Sequence, residues 1–150
     1  MLSSFKFQAI LVVIATLFSA CKKTASVIDQ VPVDTYVYLN QPLYINLKVP
    51  GGWVYIPGGV KGILVYNSGN DIYKAYDRSC TFDPKNPCNP SIYVTSDNVT
   101  LRDSCCSGVS CCGSSFIISD GGPIGGPATI PLVSYRTELN PDGSQLHIFN

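Results

Sequence analysis

From residue 34 onward, glycine and proline interrupt this chain so often that short strands and tight turns, not long helices, are what it can build. There are 13 Gly and 11 Pro in 150 residues. The Tyr, Val, Ile and Thr that fill the intervals suit half-buried pleated segments. "TYVYLN" and "LYINLKV" alternate with period two, the latter setting Leu43, Ile45, Leu47 and Val49 on one side and Tyr44, Asn46 and Lys48 on the other. "PGGWVYIPGG" reads as a Gly-flanked aromatic loop or very short strand, and "KGILVYN" as a continuously apolar strand. "NSGND" then predicts a hairpin turn with "IYKAYD" returning from it. Further strands are expected at "SIYVTS", "VTLRD", "SFIIS", "LVSYRTEL" and "QLHIFN", with "NPDGS" as the last hairpin turn. The expectation is an all-β meander of short antiparallel strands. A length of 150 residues is about what one hydrophobic core fills, so a single domain is expected.

Charge narrows the function classes. Ten Lys and Arg balance ten Asp and Glu, and only 13% of residues are charged against 45% hydrophobic. A nucleic-acid surface needs clustered cations, so nucleic acid is not an expected partner.

The N-terminus reads as an address. One positive charge before "FQAILVVIATLFSA" gives the n-region and h-region of a signal peptide. The apolar run is shorter than the roughly 20 residues of a membrane span. "LFSAC" resembles the lipobox of bacterial lipoproteins, which implies cleavage before Cys21 and its lipidation. The expected organisation is a signal peptide over 1–20, a lipidated tether over 21–33 ("KKTASVIDQVPV" after the cysteine) and the β domain over 34–150. The expected location is the cell envelope, outside the cytoplasm, with the lipid as the membrane contact. No Arg-Arg pair precedes the apolar run, so export in the unfolded state is expected.

Cysteine is the strongest chemical signal. Apart from Cys21, six remain, Cys80, Cys88, Cys105, Cys106, Cys111 and Cys112, all between residues 80 and 112. An even number in an oxidising compartment points to disulfides stapling one end of the domain.

From Gly58 onward the order of motifs resembles the Rieske family, in which two loops hold a 2Fe-2S cluster through two Cys and two His. "GILVYNSGNDIYKAYDRSC" stands where the family has the hairpin into its first loop, "CTF" at Cys-x-His, and "VSCCGSSF" at Cys-x-x-His-Gly-x-x-Phe. "GGPIGGPATIPLVSY" matches the Gly-Pro-Ala third loop and the Pro-Leu-x-x-Tyr strand. The resemblance implies a small antiparallel Rieske-like domain of short stacked sheets.

The ligands do not follow the motif. Cys80 is retained, Phe82 stands at the first His position, Val109 at the second Cys position and Cys112 at the second His position. A cluster with two apolar residues in place of donors would lack a closed shell, so no cofactor is expected. The family's loop-tying disulfide implies a Cys88–Cys111 bridge, worth about 3 kcal/mol of chain entropy. Cys80 and Cys112, at former ligand positions, are placed to join as a second staple. Cys105 and Cys106 are left over, and a rearranged pairing that uses one of them is equally open.

The expected role is that of a binding or structural module with a possible envelope protein as partner, not an enzyme. The alternatives are a Rieske-type 2Fe-2S electron carrier or oxidoreductase subunit, and a structural zinc site, for which spaced C-x-x-C pairs are missing. Thiol–disulfide exchange lacks its C-x-x-C motif on a helix.

Other residues are weaker pointers. His147, the only histidine, reads as a strand residue sharing a face with Gln145 and Phe149. No GxSxG elbow supports a triad. Asp120 before Gly121 and Gly122 reads as a turn, and "GGPIGGPA" has no Lys-Ser/Thr sequel of a phosphate loop. Asn98-Val-Thr100 fits the glycosylation sequon by chance. Trp53 and Tyr55 either cap the core edge or form a contact surface.

Overall fold

The computed structural model describes residues 28, 31–82, 84, 91–103 and 113–150. Ten strands form in order: β1 (Asp34–Tyr38), β2 (Trp53–Ile56), β3 (Ile63–Gly69), β4 (Ile72–Asp77), β5 (Ile92–Val94), β6 (Thr100–Asp103), β7 (Ser115–Ile117), β8 (Pro123–Gly125), β9 (Ser134–Leu139) and β10 (Gln145–Phe149). They make a six-stranded sheet ordered β1-β10-β9-β4-β3-β2 and a four-stranded sheet ordered β5-β6-β7-β8. Every pairing is antiparallel. The all-β, antiparallel architecture expected from the sequence is present.

The expected simple meander is not. β5 to β8 do follow one another as neighbours, but that small sheet is inserted between β4 and β9, and the large sheet closes by pairing β1 with β10 and β4 with β9. Alternation identifies a strand but carries no information about a partner far along the chain.

Two cores result. Val37 of β1 and Val54 and Ile56 of β2 share one buried cluster with Ile63, Val65, Ala75, Tyr135, Leu146 and Ile148. Residues from both edge strands meet there, so the large sheet curls around its own core. The second cluster joins Leu64 and Tyr76 to Cys80, Ile92, Leu101, Phe116, Ile118, Ala128 and Leu132. Strands β3 and β4 are the wall between them. That is why Ile63, Leu64 and Val65 are all buried: successive side chains enter opposite cores. The hairpin joining this wall turns through Asn70 and Asp71, whose φ values of 53° and 59° are those of a tight turn matched to strand twist.

"LYINLKV" is a correction. Pro42–Lys48 is a 3-10 helix, and only Leu47 of the expected apolar face is buried. Leu43 is 73% exposed, and Ile45 and Val49 are exposed too. Pro42 in the first turn fixes a helical φ, and Leu47, with half-buried Tyr44 packed against the same core, anchors the segment. The Leu47 carbonyl accepts from Asn67 Nδ2 at 2.7 Å and from the Tyr73 hydroxyl at 3.3 Å.

Before β1, Val33 is buried in the first core, and its amide donates to Asn150 Oδ1 at 3.1 Å. Ile28 is buried as well. Residues 1–27, including the expected signal peptide and Cys21, lie outside the described residues. Among those described, no helix is long and apolar enough to cross a membrane.

Asp77 ties the end of β4 to the β2–β3 connection, to β9 and to the outgoing chain. Fully buried at the end of β4, it accepts from the Val60 amide at 2.6 Å and the Tyr135 hydroxyl at 2.7 Å through Oδ2, and from the Ser79 amide at 2.9 Å through Oδ1. Its own amide donates to Val133 O at 2.8 Å. Gly59, at φ 60°, lies so close that a Cβ would fall on this carboxylate and the Tyr135 hydroxyl.

Asp77→Asn turns one acceptor oxygen into a donor facing other donors, and should cost about 3 kcal/mol in urea unfolding. Burial, reinforced by the hydrogen bond and charge of Asp77, holds the Tyr135 hydroxyl well above the usual tyrosine range. Burial, with Asp120 and Tyr66 nearby, does the same for Tyr76. Unfolded tyrosines ionise near pH ~10 while these stay protonated. Stability should therefore be full below that pH and fall as pH rises toward the folded values, read as a declining urea midpoint.

Candidate functional site

The cysteine-bearing segments are attached at one end of the small sheet. The chain leaves β4 through Arg78, whose amide donates to Gly62 O at 3.0 Å and whose Nε donates to Ile92 O at 2.8 Å. The Ile92 amide returns a bond to Arg78 O at 2.7 Å. The Arg78 guanidinium lies 3.8 Å from the centre of the Tyr55 ring, and the Tyr55 hydroxyl accepts from the Val94 amide at 2.8 Å. This clamp fixes β5 against β2. A bridge between Ser79 and Ser91 closes the base of the first segment.

Cys80 follows, only 4% exposed and packed in the second core. Thr81 then donates to Ile130 O at 2.7 Å, and Phe82 is 51% exposed.

The second segment starts after Asp103. Asp103 pairs with Ile92 across β5 and β6, so the chain before β5 and the chain after β6 adjoin. The Asp103 amide donates to Ser114 O at 3.2 Å, closing that segment at its base. Ser114 is fully buried, and its hydroxyl accepts from the Ala128 amide at 3.2 Å. The "GSSF" and "GPA" stretches of the resemblance thus touch each other. Phe116, the last residue of the first stretch, has no exposed surface in the second core.

Of the positions that the resemblance singles out, Cys80 and Phe82 are described, at the start of the first segment. Cys88, Cys105, Cys106, Val109, Cys111 and Cys112 lie outside the described residues, and the expected pairings with them. Among the described residues no group of three or more His, Cys, Asp or Glu could hold a metal.

The residues do not fit a Rieske cluster. The family's iron needs two imidazoles, and the chain has one histidine. His147 is on β10 of the large sheet, stacked on Tyr36 at 4.3 Å and on Phe149 at 4.5 Å between centroids, with Nε2 2.7 Å from Asp34 Oδ1. The strand reading of this residue holds, and the hydrocarbon ring of Phe82 supplies no substitute donor.

Asp120 forms the expected turn, accepting from the Gly122 amide at 2.7 Å. Strand β8, within "GGPIGGPA", was not expected from the sequence, since glycine and proline weaken a strand signal. Of the two readings offered for Trp53 and Tyr55, packing at the core edge holds for Trp53. Trp53 is half-buried against the second core and Tyr55 is exposed. The Asp77 hub and the Arg78–Tyr55 clamp were missed; a lone acid ending an apolar strand just before Cys80 was the available signal for the first.

No family model matches this sequence, and no curated protein matches it. A chain from a complex of reduced oxygenase and oxidized ferredoxin in carbazole 1,9a-dioxygenase is similar over 81% of this chain and 94% of that chain, with 17% identity and a TM-score of 0.45.

The turn between β5 and β6 holds the small sheet in register. Asp97 Oδ1 accepts from the Thr95 hydroxyl at 2.6 Å and from the Thr100 and Val99 amides at 2.8 and 2.9 Å. The Thr95 hydroxyl first, then those amides, hold its carboxyl well below the usual aspartate range. Its contribution is present above the ordinary aspartate pKa and lost only as pH falls through the lowered one. Asp97→Ala should speed hydrogen exchange at the Val99 and Thr100 amides while leaving the Leu146 and Ile148 amides protected.

Proposed function

We propose that this chain is a lipid-anchored, extracytoplasmic module of the cell envelope that works by contact, not catalysis. Its Rieske-like end has exchanged cluster ligands for disulfides and an apolar tip that docks a protein partner. The observation that carries this reading is the exposed ring of Phe82 at a ligand position. Thr81, the residue before it, donates to the Ile130 carbonyl, and Ile130 is exposed as well.

Three features support it. The chain's one imidazole is committed to the large sheet. Both cysteine-bearing segments attach at neighbouring ends of β5 and β6, where bridges between them would clamp the tip. The "LFSAC" motif fits attachment through Cys21.

Intact mass and metal analysis of the mature protein, purified from envelopes of its natural host, test the reading together. The expected mass is that of a chain starting at a lipidated Cys21, rising on reduction by a pair of hydrogens for every bridge, with no stoichiometric metal. Reduction should lower stability by about 3 kcal/mol for each bridge opened. Stoichiometric iron with a 2Fe-2S paramagnetic signal would overturn it in favour of an electron carrier. Zinc retained under reduction would overturn it in favour of a structural metal site, and thiols free throughout would remove the clamp.

A further inference from the structure

A cavity of about 460 Å3 opens at the edge of the large sheet, lined by Trp53 of β2, Asn46 and Val49 of the 3-10 helix region, Gly51, Gly52 and Asn98. This size is within the range of small-molecule sites. We infer that this cavity is a binding site for a neutral hexopyranose unit, the indole of Trp53 taking the sugar's C–H face and Asn46 and Asn98 its hydroxyls.

Backbone packing builds the site. The Gly51 amide donates to Asn67 O at 2.8 Å, and the Asn67 amide to Gly52 O at 2.9 Å, which pins the floor to β3. A Cβ at Gly52 would fall on the carbonyl of Asn46, so glycine is what lets the helical turn close in and bring Asn46 to the indole. On the other side, Asn98 sits at φ 56° in the β5–β6 turn, and its Oδ1 accepts from Trp53 Nε1 at 3.1 Å. That bond fixes the indole and turns the Asn98 amide donors outward.

The chemistry selects the ligand class. No ionisable side chain lines the cavity among the described residues, which disfavours phosphates, carboxylates and amines. Asn46 is exposed, and its carboxamide makes no hydrogen bond among the described residues. Two carboxamides offer donors and acceptors together, as a ring of hydroxyls requires. A half-exposed indole supplies a large flat apolar surface at small entropic cost.

Trp53 is the sole tryptophan, so its emission reports on the cavity directly. The full chain in detergent is titrated with the methyl glycosides of glucose, galactose, mannose and N-acetylglucosamine, with adenosine as a flat neutral comparator. A saturable emission change is expected for at least one glycoside, with a Kd on the order of 1 mM. Binding should weaken about tenfold in Asn46→Ala and in Asn98→Gly, each removing one carboxamide. Asn46→Ala breaks no bond within the fold, so a urea midpoint near that of the parent should accompany its loss, while Asn98→Gly keeps the backbone angle but frees the indole from its bond to Oδ1 and should lower the midpoint by that bond alone. A flat titration with all four glycosides, equal binding by both variants, or tighter binding of adenosine would each overturn the proposal.

Discussion

A single buried carboxylate makes the rest of this architecture possible. The chain must leave a curled six-stranded sheet, build a second sheet and return, and a chain making such a passage exposes backbone donors at the junction. Asp77 meets them with neutral partners from three places: the β2–β3 connection at Val60, the outgoing chain at Ser79 and the returning strand at Tyr135. Buried donors of this kind cost most when left unmet. The position of Cys80 therefore depends on a residue that is neither a cysteine nor part of any recognisable motif.

The shared wall explains how a small chain supports two cores. β3 and β4 give Ile63, Val65, Tyr73 and Ala75 to one side and Leu64 and Tyr76 to the other. Neither core could be removed without exposing an apolar face of the same two strands. The small sheet is thus seated on the large one over Leu64 and Tyr76 and held at its margin by the Arg78–Tyr55 clamp. Beyond it, at the start of the first segment, the ring of Phe82 is exposed.

Much of this was legible in the residues. Period-two alternation located most strands, and the unbroken apolar run through Ile63, Leu64 and Val65 was read as a strand, whose two buried faces the structure supplies. Alternation misled at Leu43 to Val49, where Pro42 sets a helical turn and Leu47 and Tyr44, from opposite sides of the expected strand, both pack on the core. The β1–β10 partnership was not readable, because nothing local in Tyr36 or His147 names a strand more than a hundred residues away. At the candidate site, the sequence marked Cys80 and Phe82 by motif order. It could not mark the cavity at Trp53, which is assembled from a helical turn, a sheet edge and the tip of a distant hairpin, each unremarkable alone.

The pairing of Asp34 with Phe149 sets an order of assembly. The small sheet joins strands that are consecutive in the chain, whereas the large sheet completes only when its last strand is available to lie between β1 and β9. Closing so long a loop is entropically slow. Until that closure, Leu146 and Ile148 have no core to enter, so the first core stays open until β10 is seated between β1 and β9.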